Sequence, residues 1–315
     1  MNRAHRISGA LIRAARRAHR LGIRGVGRAL QVLAQHLRSL QMLPVPTADG
    51  RILYLDLRET MCWPYFFLGS IQYERGETQF LASVLRPGDV AVDIGANVGW
   101  YATLFAEVVG VSGRVLAFEP NRTAYRLLEA SARAYPQLTA VHSAVSNMTG
   151  EAVLHIPTAG EAWFASLGDL DPAMAVRTEA CRLTTLDAVL HAESRTLVIK
   201  CDVEGFEREV LLGAAGLLAG PRPPLWVLEI NAKDRFPHYD PAEIFRILRA
   251  SPGNYRFYSI DADTGALEAV HDRVDRHFNA AAVPGWLAHR VNAPAPGAQP
   301  ARHAEERTAS GVGVH

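Results

Sequence analysis

Lysine is nearly absent: of the 33 lysine and arginine side chains in this 315-residue chain, only Lys200 and Lys233 are lysines. The bias toward arginine assigns no function by itself. Cysteine is equally sparse. Cys62, Cys181 and Cys201 are odd in number and show no C-x-x-C spacing, which supports neither a disulfide framework nor a zinc site. A reducing compartment follows as the default. No run of 18 apolar residues offers a membrane span, and the N-terminus lacks the uninterrupted apolar stretch of a secretory signal, so a soluble cytoplasmic protein is expected. Acid is missing from the first 48 residues, which hold nine arginines; the remainder, with 24 basic and 32 acidic residues, stands at −8, although the whole chain is only +1.

That basic stretch reads as helical. Ile7, Leu11, Ala14, Ala18 and Leu21 fall on one stripe and Arg6, Arg13, Arg17, Arg20 and Arg24 on another. An anionic lipid surface or an acidic carrier would suit such an arm, against the plainer reading of a solvated helix packed on the domain. Gly22, Gly25 and Gly27 interrupt the pattern before a second helical stretch with Leu30, Leu33, Leu37 and Leu40, and Pro44 and Pro46 mark a boundary. The expected organisation is an arm over residues 1–46, one catalytic domain over 47–290, and a disordered tail over 291–315, rich in Ala, Pro and Gly.

The most informative segment is Val90-Ala-Val-Asp-Ile-Gly-Ala-Asn-Val-Gly99, an apolar run that ends in a carboxylate and opens into two glycines. It predicts a strand, a tight turn and a helix N-terminus, the corner at which cofactors meet backbone N–H groups. Twenty-four residues after Gly95, a second strand ends at Glu119-Pro120, where an acid can accept the hydroxyls of an adenosine ribose. The turn is not the dinucleotide G-x-G-x-x-G, because Asn97 stands where the middle glycine would admit a pyrophosphate; S-adenosylmethionine, which brings no phosphate, fits better.

Strands are expected at about 90–94, 114–119, 138–141, 197–201 and 226–230, and helices at about 77–85, 98–109, 121–134, 206–219 and 241–250. This alternation predicts an α/β, doubly wound, mostly parallel sheet with helices on both faces and the ligand at the carboxyl ends of the strands. A further strand is expected at 152–156 inside a long insertion over residues 142–195, and late strands at 255–260 and 280–283.

Several segments taken together resemble the FkbM family of S-adenosylmethionine-dependent methyltransferases. They are Arg86-Pro-Gly-Asp-Val-Ala-Val-Asp-Ile-Gly-Ala-Asn-Val-Gly99, Ala117-Phe-Glu-Pro120, Ala144-Val-Ser146, Ser166-Leu167, Thr185-Leu-Asp187, Ile199-Lys-Cys-Asp-Val-Glu-Gly-Phe-Glu207 and Leu228-Glu229. The matches span roughly residues 73 to 230, and the block from Lys200 to Glu207 is the discriminating one. The resemblance implies a Rossmann-like methyltransferase fold and O-methylation of hydroxyls on sugars, glycolipids or other natural products. Two departures stand out: Leu128-Glu-Ala-Ser-Ala132 lacks the asparagine usual in that helix, and Cys201 replaces the usual isoleucine.

Methyl transfer from a sulfonium needs in-line attack and a water-poor site that holds both centres together. The expected cofactor set is Asp93 at the strand end, Gly95 and Gly99 for backbone access, Ala96 and Asn97 beside them, Glu119 and Pro120 at the ribose, and His142, Ser143 and Ala144 toward the adenine. Lys200, Asp202 and Glu204 would share a strand face, and unpaired charge is too costly there for a core reading. Asp202 or Glu204 is the expected proton acceptor, with Lys200 pairing a carboxylate or stabilising the alkoxide. The rival for these residues is a salt-bridge network that fixes strand to helix. Glu207 would complement a helix dipole. Asp202, Glu204, Glu229 and His238 lack tight ligand spacing, so no metal is expected. The runs Trp63-Pro-Tyr-Phe-Phe67 and Trp163-Phe164 read as core aromatics or as stacking platforms for the acceptor. A nucleic-acid methyltransferase is disfavoured by the acidic body and the lack of an N-P-P-Y signature. A binding module that has lost catalysis is disfavoured by the intact polar block.

Overall fold

The computed structural model describes residues 3–158, 165–167, 175–231, 239–270 and 277–291. Trp163, Phe164, His238 and the expected tail beyond Val291 lie outside the described residues. From the N-terminus the chain forms α1 (Arg3–Arg20), α2 (Val26–His36), a hairpin of β1 (Leu43–Pro46) and β2 (Ile52–Leu55), then α3 (Trp63–Leu68) and α4 (Arg75–Val84). The alternating series follows as β3 (Val90–Ile94), α5 (Trp100–Val109), β4 (Arg114–Phe118), α6 (Arg122–Ala132) and β5 (Leu138–Val141). The insertion holds β6 (Ala144–Val145), β7 (Gly150–Pro157) and β8 (Val176–Thr184), and α7 (Leu186–Leu190) leads to β9 (Leu197–Cys201). Then come α8 (Glu207–Leu212), α9 (Ala215–Ala219), β10 (Leu225–Ile230), α10 (Pro241–Ala250), β11 (Arg256–Ile260), β12 (Leu267–Ala269) and β13 (Phe278–Val283).

Eight strands form one sheet in the order β12-β11-β13-β10-β9-β3-β4-β5. The run from β10 to β5 is parallel, and β13 slots between β10 and β11 antiparallel to both. Strand alternation divides the core. Ala91, Val115, Ala117, Val198 and Val227 face the layer that contains Phe105 of α5, while Val92, Leu116, Ile199, Trp226 and Leu228 face the layer of α8 and α10. Both faces are thus covered, which is why β3 and β9 read as uninterrupted apolar runs broken only by Asp93 and Lys200.

Two helical expectations change. The helix expected over 206–219 is broken between Leu212 and Ala215, because a Cβ at Gly213 would lie 2.0 Å from the Ser146 carbonyl oxygen; the chain passes too close to the insertion to carry a continuous helix of bulkier residues. The arm's buried stripe is also rotated by one residue. Ile12 and Ala15 are buried, whereas Ala14 and Leu21 face solvent. Arg16, which belonged to neither expected stripe, donates to the carbonyls of Phe66 at 2.7 Å and Pro46 at 2.8 Å and ties α1 to α3 and β1. In α2 the inward residues are Leu30 and Ala34, so Leu33 and Leu37 are exposed.

Candidate active site

The strand order reverses around β3, and a cavity of about 670 Å³ opens there, beyond the carboxyl ends of β3, β4, β9 and β10. Its floor depends on Gly95. That residue has φ +80°, and a Cβ on it would lie 1.9 Å from the Asp202 carbonyl oxygen, so only glycine lets the loops after β3 and β9 touch. Asn97 follows with φ +50° and lines the cavity, its Oδ1 buried without a hydrogen-bond partner among the described residues. Glu119 directly follows β4 and lines the same cavity. Its two oxygens accept the N–H groups of Asn97 and Asn121, each at 2.8 Å. Burial pushes the Glu119 carboxyl up to about 7, against the pull of those two N–H groups.

Of the expected cofactor set, Gly95, Ala96, Asn97, Glu119, Pro120, Ser143 and Ala144 line the cavity, and Asp93, Gly99 and His142 do not. Asp93 is 1% exposed and is the register partner of Lys200 in the β3–β9 pair, so it sits beneath the floor. Gly99 packs against the Leu128 side chain, toward α6. His142 turns its Nε2 to the Pro120 carbonyl at 3.0 Å and stacks on Tyr125. Ser143 lines the cavity, but its hydroxyl is within 2.9 Å of the carbonyls of Ala144 and Arg182, which fastens the loop after β5 to β8. The neighbouring wall is apolar, with Leu154, Ala165 and Leu167 of the insertion beside Phe118.

The opposite wall is charged. Lys200, Asp202 and Glu204 all line it, though not as alternate residues of one strand. β9 stops at Cys201, and Glu204 has φ +52° in the turn that follows, so the two-residue period ends before the carboxylates. Lys200 is 3% exposed; its ammonium lies 2.9 Å from Asp202 Oδ2, 4.0 Å from Glu77 Oε1 and 4.7 Å from the centre of the Tyr101 ring. Burial works against the Lys200 charge, but Asp202, Glu77, Glu74 and Asp93 more than offset it and hold the ammonium well above its usual range. One cation cannot keep four surrounding acids ionised. Burial accordingly drives Glu77 up to about 8 and Asp93 to about 7, with Lys200 pulling each down.

Glu74 and Glu77, at the start of α4, carried no site signal in the sequence, nor did Tyr101, His277 and Asn279, whereas Tyr65 belongs to the aromatic run read as core or as a stacking platform. All but Glu77 line the cavity, and Asn279 donates a hydrogen bond to Glu77. A carboxylate in the first turn of a helix that would otherwise bury it was the only available signal. Glu229 lines the cavity at the end of β10, accepting from Asn231 Nδ2 at 2.9 Å, with its Oε1 3.6 Å from His277 Nε2. Asp202, Glu204 and Glu229 each place a carboxylate oxygen within 4.8 Å of the others.

Other motif residues brace the fold. Asp187 accepts the N–H groups of Gly216 at 2.7 Å and Leu217 at 3.0 Å, capping α9, and Thr185 caps α7. Glu207 is fully buried and accepts from Val203 and Gly205, holding the turn that carries Glu204; burial raises its carboxyl to about 7. In α6, where an asparagine was missing, Ser131 accepts the Tyr54 N–H and lies 3.4 Å from the Val98 carbonyl, linking β2 to the glycine turn. Tyr65 and Phe66 of the aromatic run are buried in the core layer beneath α1.

A reversal point at β3, a glycine turn and an acid-tipped β4 belong to an S-adenosylmethionine-dependent methyltransferase. The family model of the methyltransferase FkbM domain matches residues 93–257, just over half of the chain, and the chain belongs to that family. No curated protein matches the sequence. Similar solved structures include an S-adenosylmethionine-dependent methyltransferase from Aquifex aeolicus (12% identity, 67% of this chain and 90% of that one, TM-score 0.37). Others are an O-methyltransferase from Thermotoga maritima (14%, 77% and 78%, 0.36) and the Aeropyrum pernix fibrillarin with natively bound S-adenosyl-L-methionine (12%, 67% and 76%, 0.38). The family's cofactor is S-adenosylmethionine, and the cavity suits it. Each Glu119 oxygen keeps a lone pair that a ribose hydroxyl would use, Asn97 has an unsatisfied Oδ1 among the described residues, and the apolar lining of Ala144, Leu154 and Leu167 is of the kind a purine would need.

Proposed function

We propose that the enzyme is an O-methyltransferase that methylates a hydroxyl of a sugar, glycolipid or other natural product. The observation that carries this reading is the carboxylate rim of Asp202, Glu204 and Glu229 on the cavity wall facing Glu119. A hydroxyl attacks well only as its proton leaves, and a rim carboxylate is placed to receive it. Bound S-adenosylmethionine supplies an electrophilic methyl group on a sulfonium centre. The chain's own residues do the rest. Glu119 holds the ribose hydroxyls, and the turn from Gly95 to Asn97 flanks the cofactor.

Within the rim the acids have different environments, which supports different roles. Asp202 is ion-paired to Lys200, whereas burial, with Asp202, Glu204 and Glu207 nearby, pushes Glu229 well above the carboxylate range. Burial thus favours the neutral form of Glu229, which suits it to donate a hydrogen bond to the acceptor, while Asp202 takes the hydroxyl proton. Lys200 positions Asp202 and offsets charge on the attacking oxygen.

The test is transfer of an isotopically labelled methyl group from S-adenosylmethionine to fractionated glycans, glycolipids and polyketides, with the product mapped by NMR. A new O-methyl ether is expected. Asp202→Asn should slow turnover by about 10²–10⁴-fold while calorimetric cofactor affinity stays unchanged. Label on nitrogen, or full turnover by both Asp202→Asn and Glu204→Gln, overturns the reading; retained turnover in Asp202→Asn with loss in Glu204→Gln moves the base to Glu204.

A further inference from the structure

Residues 21–37 hold five of the 13 large apolar side chains that stand exposed among the described residues, a concentration no other stretch of similar length approaches. Leu21 and Ile23 are 68% and 55% exposed on the connection after α1, and Val32, Leu33 and Leu37 are 57%, 48% and 47% exposed along α2 and its end. Leu30 and Ala34 already satisfy the inward face of α2, so the Leu33–Leu37 stripe is a second apolar face with no partner in the fold. The same pair of helices and their connection carry Arg13, Arg17, Arg24 and Arg28, all exposed and none in an ion pair among the described residues. A groove of about 480 Å³ just beyond the end of α2 is lined by Arg38, Arg58 and Arg126; Asp56 pairs with Arg58 at 2.6 Å, and the other two have no ion pair among the described residues.

We propose that this surface docks the enzyme on an anionic lipid bilayer. Exposed aliphatic residues on helices that also expose unpaired arginines match a layer whose surface is negative and whose interior is hydrocarbon. The charge division of the chain fits the same partner, since the nine arginines of the first 48 residues face a body at −8 that anionic lipid would repel. Duplex nucleic acid answers the arginines but leaves the five aliphatic side chains in water. No helix among the described residues is long and apolar enough to cross a membrane, so the contact is peripheral. The docking surface is mechanically joined to the cavity: Arg16 of α1 holds α3, and Tyr65 of α3 lines the cavity wall.

The full chain should sediment with phosphatidylcholine vesicles that contain phosphatidylglycerol, and not with phosphatidylcholine alone, and added salt should weaken the binding. Removing two charges with Arg24→Gln and Arg28→Gln should lower partitioning about thirtyfold. Leu33→Asp should also release the protein, whereas Val153→Asp, exposed on the insertion, should not. These positions are exposed, and retained calorimetric affinity for S-adenosylmethionine shows that each variant folds. Equal partitioning into both vesicle types, binding indifferent to Leu33→Asp, or tighter binding to duplex DNA than to the anionic vesicles overturns the proposal. So does a stable dimer that Leu33→Asp splits into monomers. Vesicle binding needs no acceptor, so none of these results bears on the O-methylation reading.

Discussion

The two walls of the cavity are held by different physics. On the β4 wall a single acid, Glu119, is answered by two backbone N–H groups, from Asn121 two residues on and from Asn97 in the turn after the neighbouring strand β3. On the β9 wall Lys200 stands among Glu74, Glu77, Asp93 and Asp202, gathered from α4 and its leading edge, β3 and the end of β9. The first wall is a hydrogen-bonded turn that would keep its shape with little electrostatic help. The second is a buried charge cluster whose shape depends on one cation. A hydrogen-bonded turn suits a cofactor that is the same in every cycle, and a charge cluster suits the transfer of a proton.

The largest effect should come from removing that cation. Lys200→Met leaves four acids around an apolar side chain, and breaking a buried pair in this way costs about 3–5 kcal/mol. The sign of its pH dependence follows from the raised carboxyls. Near pH 5 Glu77 and Asp93, raised to about 8 and about 7, are protonated and need no partner, so the variant's deficit in urea unfolding should be smaller there than near pH 8, where both ionise in the parent. A deficit that does not grow with pH would show that the cluster is held by packing rather than by charge.

The same contrast explains what could be read in advance. The β3 turn, Glu119 and the parallel alternation are local patterns, and β3, β5, β9 and α10 form at the expected residues. The apolar slot and the charge cluster are not local. Leu154 reaches the cavity from β7, which pairs with β8 across the insertion, and Leu167 follows Ser166, which bridges to His155 of β7; β8 carried no strand signal of its own among its charged and polar residues. Glu77 meets Lys200 across 123 positions of sequence through the packing of α4. Lys200 itself was legible as a site residue because a charge in the middle of an apolar run has no other easy explanation. Its partner Asp202 was legible, but the strand face that was to unite it with Glu204 was not real, since the chain turns at Glu204 to let Ser166 reach its carbonyl.

On the hydrogen-bonded wall the matching change is Glu119→Gln. The amide keeps the size but turns a donor toward the N–H of Asn97 or Asn121, and it offers one acceptor fewer to a ribose. Two compromised hydrogen bonds to a charged group should weaken S-adenosylmethionine about a hundredfold by calorimetry, with a smaller loss of stability than in Lys200→Met. Unchanged affinity would mean that the ribose is held elsewhere.

Glu207 provides the smallest and sharpest comparison, because it braces a turn with two N–H groups just as Glu119 does, yet does not line the cavity. Its carboxyl is raised from 4.5 to about 7 by burial. Between those values the unfolded chain has lost the proton and the folded chain has kept it, so stability falls as pH rises, by at most about 1.4 kcal/mol per pH unit for this one group. Glu207→Gln keeps an oxygen for Val203 and Gly205 and removes the titration. Its urea-unfolding free energy should therefore decline less steeply than the parent's from about pH 5 to about pH 7. The remaining slope belongs to the other raised carboxyls, among them Asp93, Glu119, Glu77 and Glu229. Cofactor affinity should stay the same, in contrast to Glu119→Gln. If the glutamine at 207 weakens the cofactor as much as the one at 119, the turn carrying Glu204 shapes the cofactor as well as the rim, and the two walls are one mechanical unit.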